Sequence, residues 1–158
     1  MQHLISVSVE NRFGVLARIA GLFAGRGYNI GSLAVNATEN EDVSTIIISV
    51  TGDDKIIEQV IKQLNRLIDV IKVVDLTEKE HVQRELMLIK INAEQPSRRS
   101  EIFQICEVFR TKIVGITNKN LVVELTGATK KIDAFIDMMR PYGIIELVRS
   151  GTVAISRT

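Results

Sequence analysis

One pattern occurs twice in the chain. "SVTGDDKIIEQVIKQL", residues 49–64, lines up with "ELTGATKKIDAFIDMM", residues 124–139. In each, an apolar strand ends at Thr-Gly, and a Lys and an Ile-led stripe at helical spacing follow. A duplicated strand–turn–helix within 158 residues points to two similar small modules, and at 46% hydrophobic residues there is enough apolar material for a core in each.

The residues around each repeat complete the modules. "HLISVSVE" alternates as a half-buried strand, and residues 15–26 place Val15, Leu16, Ile19, Leu22 and Phe23 on one helical face. "NIGSLAVNATE" and "VSTIIISVTG", divided by the polar turn "ENED", read as a hairpin. The helix after Gly52 turns Ile57, Val60, Ile61 and Leu64 inward and Lys55, Glu58 and Lys62 to water, and "IDVIKVVDL" reads as a further strand. The order β-α-β-β-α-β predicts a four-stranded antiparallel sheet with both helices on one face, the ferredoxin-like split βαβ. The second half repeats it: "ELMLIKINA", "RRSEIFQICEVFR", "KIVGIT", "NLVVELTG", "TKKIDAFIDMM" and "GIIELVRS". The expected fold is α+β, with two such modules in tandem at residues 1–77 and 84–158. The boundary is expected in the charged stretch "LTEKEHVQRE", residues 76–85, which reads as a solvated connector or, less commonly, a functional hinge.

Composition narrows the function. Lys and Arg total 20 against 19 Asp and Glu, spread along the chain, so no basic block marks a nucleic acid or an acidic membrane. No apolar run reaches the roughly 20 residues of a bilayer span, and "MQHLISVSVE" reads directly as a strand with no basic presequence, which predicts a cytoplasmic protein. The single cysteine, Cys106, falls in an apolar helical stripe and reads as a core thiol. His3 and His81 have no nucleophile or metal-ligand cluster beside them, which argues against an enzyme and predicts no metal in this chain. Aromatic residues are only 4% of the chain, too few for the stacking platforms of an RNA-binding sheet.

The halves differ at the first turn. "NRFGVL" follows the first strand, whereas "EQPSRRSEIF" in the second module has no glycine there, so a site at this turn is not duplicated. Gly14 permits a positive φ and close approach of a ligand or backbone, and the N–H groups of Val15 and Leu16 lack intrahelical acceptors. The turn is either a simple cap or a seat for a carboxylate, to which the helix dipole adds ~0.3–1 kcal/mol. Asn29, just past the helix, serves either as a turn residue or as a donor and acceptor for an ammonium and carboxylate pair. Ala17, Gly21 and Gly25 form a small-residue stripe, for packing within the module or for a neighbouring chain. Arg98 and Arg99 open a helix where the dipole disfavours cations, and either face an acidic partner or are solvated.

"VENRFGVLARIAGLFAGRGYNIGSL", together with "QLNRLIDVIKVVDL", "HVQRELMLIKI" and "IIELVRSGTVAISR", resembles the small regulatory subunit of acetohydroxyacid synthase (acetolactate synthase) over essentially the whole chain. The resemblance implies an N-terminal ACT domain, residues 1–77, for effector binding and dimerisation, followed by the family's C-terminal ferredoxin-like domain. It implies a non-catalytic homodimer that activates the large catalytic subunit and confers feedback inhibition by valine or another branched-chain amino acid. This chain would then carry no cofactor, and thiamine diphosphate, Mg²⁺ and FAD would belong to the catalytic partner. The family's effector pattern falls on Asn11, Gly14, Val15 and Leu16 of one chain and on Asn29 and Ile30 of the other. The alternative is a stand-alone ACT-type amino-acid sensor controlling another enzyme or a transcriptional partner.

Overall fold

A computed structural model describes residues 1–158. The elements in chain order are β1 (Gln2–Glu10), α1 (Val15–Arg26), β2 (Asn29–Ala37), β3 (Val43–Thr51), α2 (Asp54–Asn65), β4 (Val70–Asp75), β5 (His81–Asn92), α3 (Pro96–Phe109), β6 (Lys112–Ile116), β7 (Asn120–Gly127), α4 (Thr129–Met139), β8 (Ile144–Arg149) and β9 (Val153–Ser156). A short 3₁₀ turn, Arg140–Tyr142, links α4 to β8. Two compact units result: Met1–Val82 with Thr152–Thr158, and Gln83–Gly151.

In the first unit the sheet order is β2-β3-β1-β4, all antiparallel. Alternation along β1 puts Ile5, Val7 and Val9 on the side of the helices, where they join Ile46, Ile48 and Val50 of β3, Ile19 and Phe23 of α1, and Val60 and Leu64 of α2. The caps explain where the helices stop. Gly14 (φ 83°) precedes α1 and Gly27 (φ 68°) follows it, both left-handed, while the Asp53 carboxylate accepts the Ile56 N–H at 2.9 Å to cap α2.

The second unit repeats the plan, β6-β7-β5-β8, around a core of Met87, Ile89, Ile91, Leu121, Val123, Ile102 and Phe135. Pro96 starts α3, where its missing N–H costs nothing. Cys106 is buried in this core, as the apolar stripe predicts, and burial raises its thiol pKa above the ordinary 9.0. The α+β class and the two βαββαβ modules match the sequence reading.

Four details go beyond that reading or differ from it. β5 begins at His81, so the last five residues of the expected connector are strand rather than solvated loop. β9 is a strand the sequence pattern does not predict; it pairs with β5, the Arg157 N–H donates to Glu80 at 2.9 Å, and Ala154 packs with Leu4, Ile47 and Leu76 on the face of the first sheet away from the helices. The Ala17, Gly21 and Gly25 stripe faces outward, with nothing within 4 Å of a Cβ built on either glycine. Arg98 and Arg99 are committed inside their own unit. Arg98 donates to Pro141 at 2.9 Å and lies over the Tyr142 ring, and Arg99 donates to Ala93 at 3.0 Å and Thr117 at 2.5 Å.

Candidate functional site

The β1–α1 turn is held from several sides. The Asn11 N–H donates to Asp42 and its side-chain amide to Glu41, each at 2.8 Å, so this turn is tied to the β2–β3 loop. Arg12 pairs with Glu10 at 3.0 Å. Gly14 then takes φ 83° and ψ 0°, which bends the chain into α1 with no side chain capping the helix. The Val15 N–H is not free as the sequence suggests: it donates weakly to Arg12 at 3.4 Å. Leu16 is the first position of the helix that is both apolar and exposed, with 42% of its surface in solvent.

Beside this turn lies a cavity of about 70 Å³ with apolar walls from Val9, Val15, Leu16, Val35 and Ile46 and a polar rim of Glu10, Asn11, Arg12 and Ser44. Drug-sized and nucleotide sites run to about 300–1,000 Å³, so this one fits a side chain of a few carbons. Apolar walls next to main-chain donors at a helix start suit a small molecule with an aliphatic end and a carboxylate end.

The structure therefore gathers Asn11, Gly14, Val15 and Leu16 at one place and leaves Asn29 and Ile30 elsewhere. Asn29 pairs with Thr51, and Thr51 with Gln2, at the far end of the sheet from Glu10, which pairs with Val43. Eight residues of extended chain separate the two ends, about 26 Å at the usual rise per residue. Asn29 is exposed, and Ile30 is partly buried against the first unit's core. Val9, Val35, Ser44 and Ile46 of the cavity lie on strands whose alternation marks them only as core or surface. No group of three or more His, Cys, Asp or Glu side chains is arranged to hold a metal. No helix is long and apolar enough to cross a membrane.

Comparison with known proteins finds a match for each half of the chain. Residues 5–72 match the family model described as the AHAS small subunit-like ACT domain, and residues 84–158 match the model for the small subunit of acetolactate synthase. A probable acetolactate synthase small subunit of Archaeoglobus fulgidus is 53% identical over 157 residues, covering 99% of this chain and 98% of that protein. The acetolactate synthase small subunit of Aquifex aeolicus is 49% identical over 156 residues, covering 99% of this chain and 81% of that protein. The crystal structure of the small subunit from Thermotoga maritima superposes with a TM-score of 0.89 at 39% identity, covering 100% of this chain and 98% of that one. With both modules matched and a 53% identical relative covered over 98% of its length, the chain belongs to the acetolactate synthase small-subunit family, and its N-terminal module is an ACT domain.

Proposed function

We propose that this chain is the non-catalytic regulatory subunit of acetohydroxyacid synthase, raising the activity of the large subunit and making it sensitive to valine. Thiamine diphosphate, Mg²⁺ and FAD belong to that partner, and the complex works in the cytoplasm. Residues 1–77 bind effector and dimerise, and residues 84–158 are the family's C-terminal domain, whose last segment, 152–158, returns to the first compact unit. The observation that carries the reading is the small apolar cavity opening beside a helix that starts at a left-handed glycine.

Valine fits its chemistry. The carboxylate lies at the Gly14 helix start and the isopropyl group among Val9, Val15, Val35 and Ile46. Each buried methyl-sized group is worth about 0.8 kcal/mol, so two more than alanine carries favour valine by about 1.6 kcal/mol, roughly fifteenfold in affinity. The ammonium partner comes from a second copy. β2 is an edge strand with half-exposed Leu33 and Val35. Two-fold pairing of β2 with its copy is antiparallel, which carries the start of the copy's strand, with its Asn29 and Ile30, to the Gly14 end of this one. The 26 Å separation within one chain is thus what a shared site requires.

The test is reconstitution with purified large subunit, following acetolactate formation with and without L-valine. The chain alone is expected to form none, to raise the rate of the large subunit, and to lose that gain as valine rises. Acetolactate formation by this chain alone, or activation with no response to any branched-chain amino acid, would overturn the assignment.

A further inference from the structure

Asp69, in the link from α2 into β4, is only 4% exposed. A carboxylate at that depth requires a cation or several donors. Its cation comes from α1, where Arg18 places Nε 2.8 Å and Nη2 2.6 Å from Oδ2. The same arginine closes the first helical turn, its N–H donating to the Gly14 carbonyl at 3.1 Å. Its third nitrogen, Nη1, lies 3.7 Å from where a Gly14 Cβ would be. The main-chain carbonyl of Asp69 meanwhile accepts the Glu10 N–H at 2.8 Å. One residue of the α2–β4 link thereby holds both sides of the Glu10–Gly14 turn, the strand end by its carbonyl and the helix start by its carboxylate.

Helix formation does not account for Arg18, because a cation in the first turn opposes the macrodipole. The pair does: the buried carboxylate offsets the unfavourable position and keeps a half-exposed guanidinium against the turn. Arg12, the other cation of the turn, is paired with Glu10 and lies mostly in solvent.

We propose that Arg18, locked by Asp69, is a positioning residue for the effector site, fixing the Gly14 helix start and keeping positive charge beside the main-chain donors that receive the effector carboxylate. The inference rests on the effector reading above. It adds a specific dependence: effector affinity follows the Arg18–Asp69 grip and not the general stability of the unit.

The experiment uses the full chain with Arg18→Met, Arg18→Lys and, as a stability-matched control away from the site, Val60→Ala in the α2 core. L-valine binding is measured by calorimetry, and amide hydrogen exchange is followed over residues 10–18. Arg18→Met is expected to weaken valine at least tenfold and to speed exchange across the turn. Arg18→Lys should recover part of the affinity, since an ammonium keeps the charge without the two-nitrogen grip. Val60→Ala should lower the melting temperature and leave affinity nearly unchanged. Wild-type affinity and exchange in folded Arg18→Met, or an equal loss of affinity in Val60→Ala, overturns the proposal. If the unaltered chain takes up no valine, the effector reading fails, and exchange in Arg18→Met alone decides whether the pair holds the turn.

Discussion

Arg149 grips Glu85 with two nitrogens, Nε on Oε1 at 2.5 Å and Nη2 on Oε2 at 3.0 Å, while its Nη1 reaches Asp133 at 3.0 Å. Glu85 is 3% exposed on β5, and Asp133 stands in solvent on α4, so a single guanidinium at the end of β8 joins three elements of the second unit.

Arg149→Met leaves Glu85 buried without its partner. Loss of one member of a fully buried pair costs about 3–5 kcal/mol, and screening at the one-third exposed guanidinium reduces this to about 2–3 kcal/mol. Asp133→Ala, at the exposed arm, should cost less than about 1 kcal/mol. Urea unfolding of both variants measures the contrast, and equal losses would remove the distinction between the two arms.

Cys106 gives the second unit a dependence on alkaline pH. Burial raises the thiol above its ordinary 9.0, with Thr111 opposing, so the folded state prefers the neutral form. The stabilisation is fully present below pH 9.0 and is lost as pH rises through the elevated value of the folded chain, because unfolding releases the proton more readily. Melting temperature should therefore fall more steeply above pH 9 in the wild-type chain than in Cys106→Ala. At neutral pH the thiol should react with iodoacetamide only as fast as the unit opens.

A chain ending at Gly151 lacks Ala154, which packs with Leu4, Ile47 and Leu76 beside Ala34 and Val74. Uncovering part of that patch is expected to destabilise the first unit by about 1–2 kcal/mol and to leave the second unit nearly unchanged. A fragment ending at Thr77 should fold and bind valine weakly, with the same deficit. Exchange protection in β1 and β3 reads the loss directly, and unaltered protection would mean that Ala154 only rests on the sheet.

Gly14→Asp puts a carboxylate beside the donors assigned to valine, and the left-handed backbone at that position adds a strain of about 1 kcal/mol. Gly14→Ala carries the strain without the charge. In reconstituted complexes whose assembly has been checked, valine inhibition should vanish with Asp and weaken with Ala. Asn29→Ala should raise the half-inhibitory valine concentration at least about tenfold through loss of a hydrogen bond to a charged group. Full sensitivity in an assembled Gly14→Asp complex would reject this site.

What could be read from sequence, and what could not, follows from range. The repeat, the amphipathic helices and the Gly14 turn are local patterns, set by period and by glycine's freedom at positive φ, and they appear in the structure as expected. β9 has only four strand residues, Val-Ala-Ile-Ser, too short a run to stand out. β5 starts early because its first residues lie in a polar stretch whose strand character comes only from pairing. The walls Val35 and Ile46 reach the cavity through the register of a sheet, and Arg18 finds Asp69 across 51 positions of sequence. Such pairings leave no periodic trace. The separation of Asn29 from Gly14 could be read from topology, since any βαβ crossover carries the second strand's start back to the first strand's start.

The position of Ala154 has a consequence for synthesis on the ribosome. A nascent chain can pair β1 with β3 and β4 as soon as residue 75 is clear of the exit tunnel, yet the outer patch of Leu4, Ile47 and Leu76, packed by then only with Ala34 and Val74, lacks Ala154 until the whole second unit has been translated. The domain made first is thus finished only after the domain made second. Throughout that interval a greasy patch on its sheet is available to chaperones or to a neighbouring nascent copy.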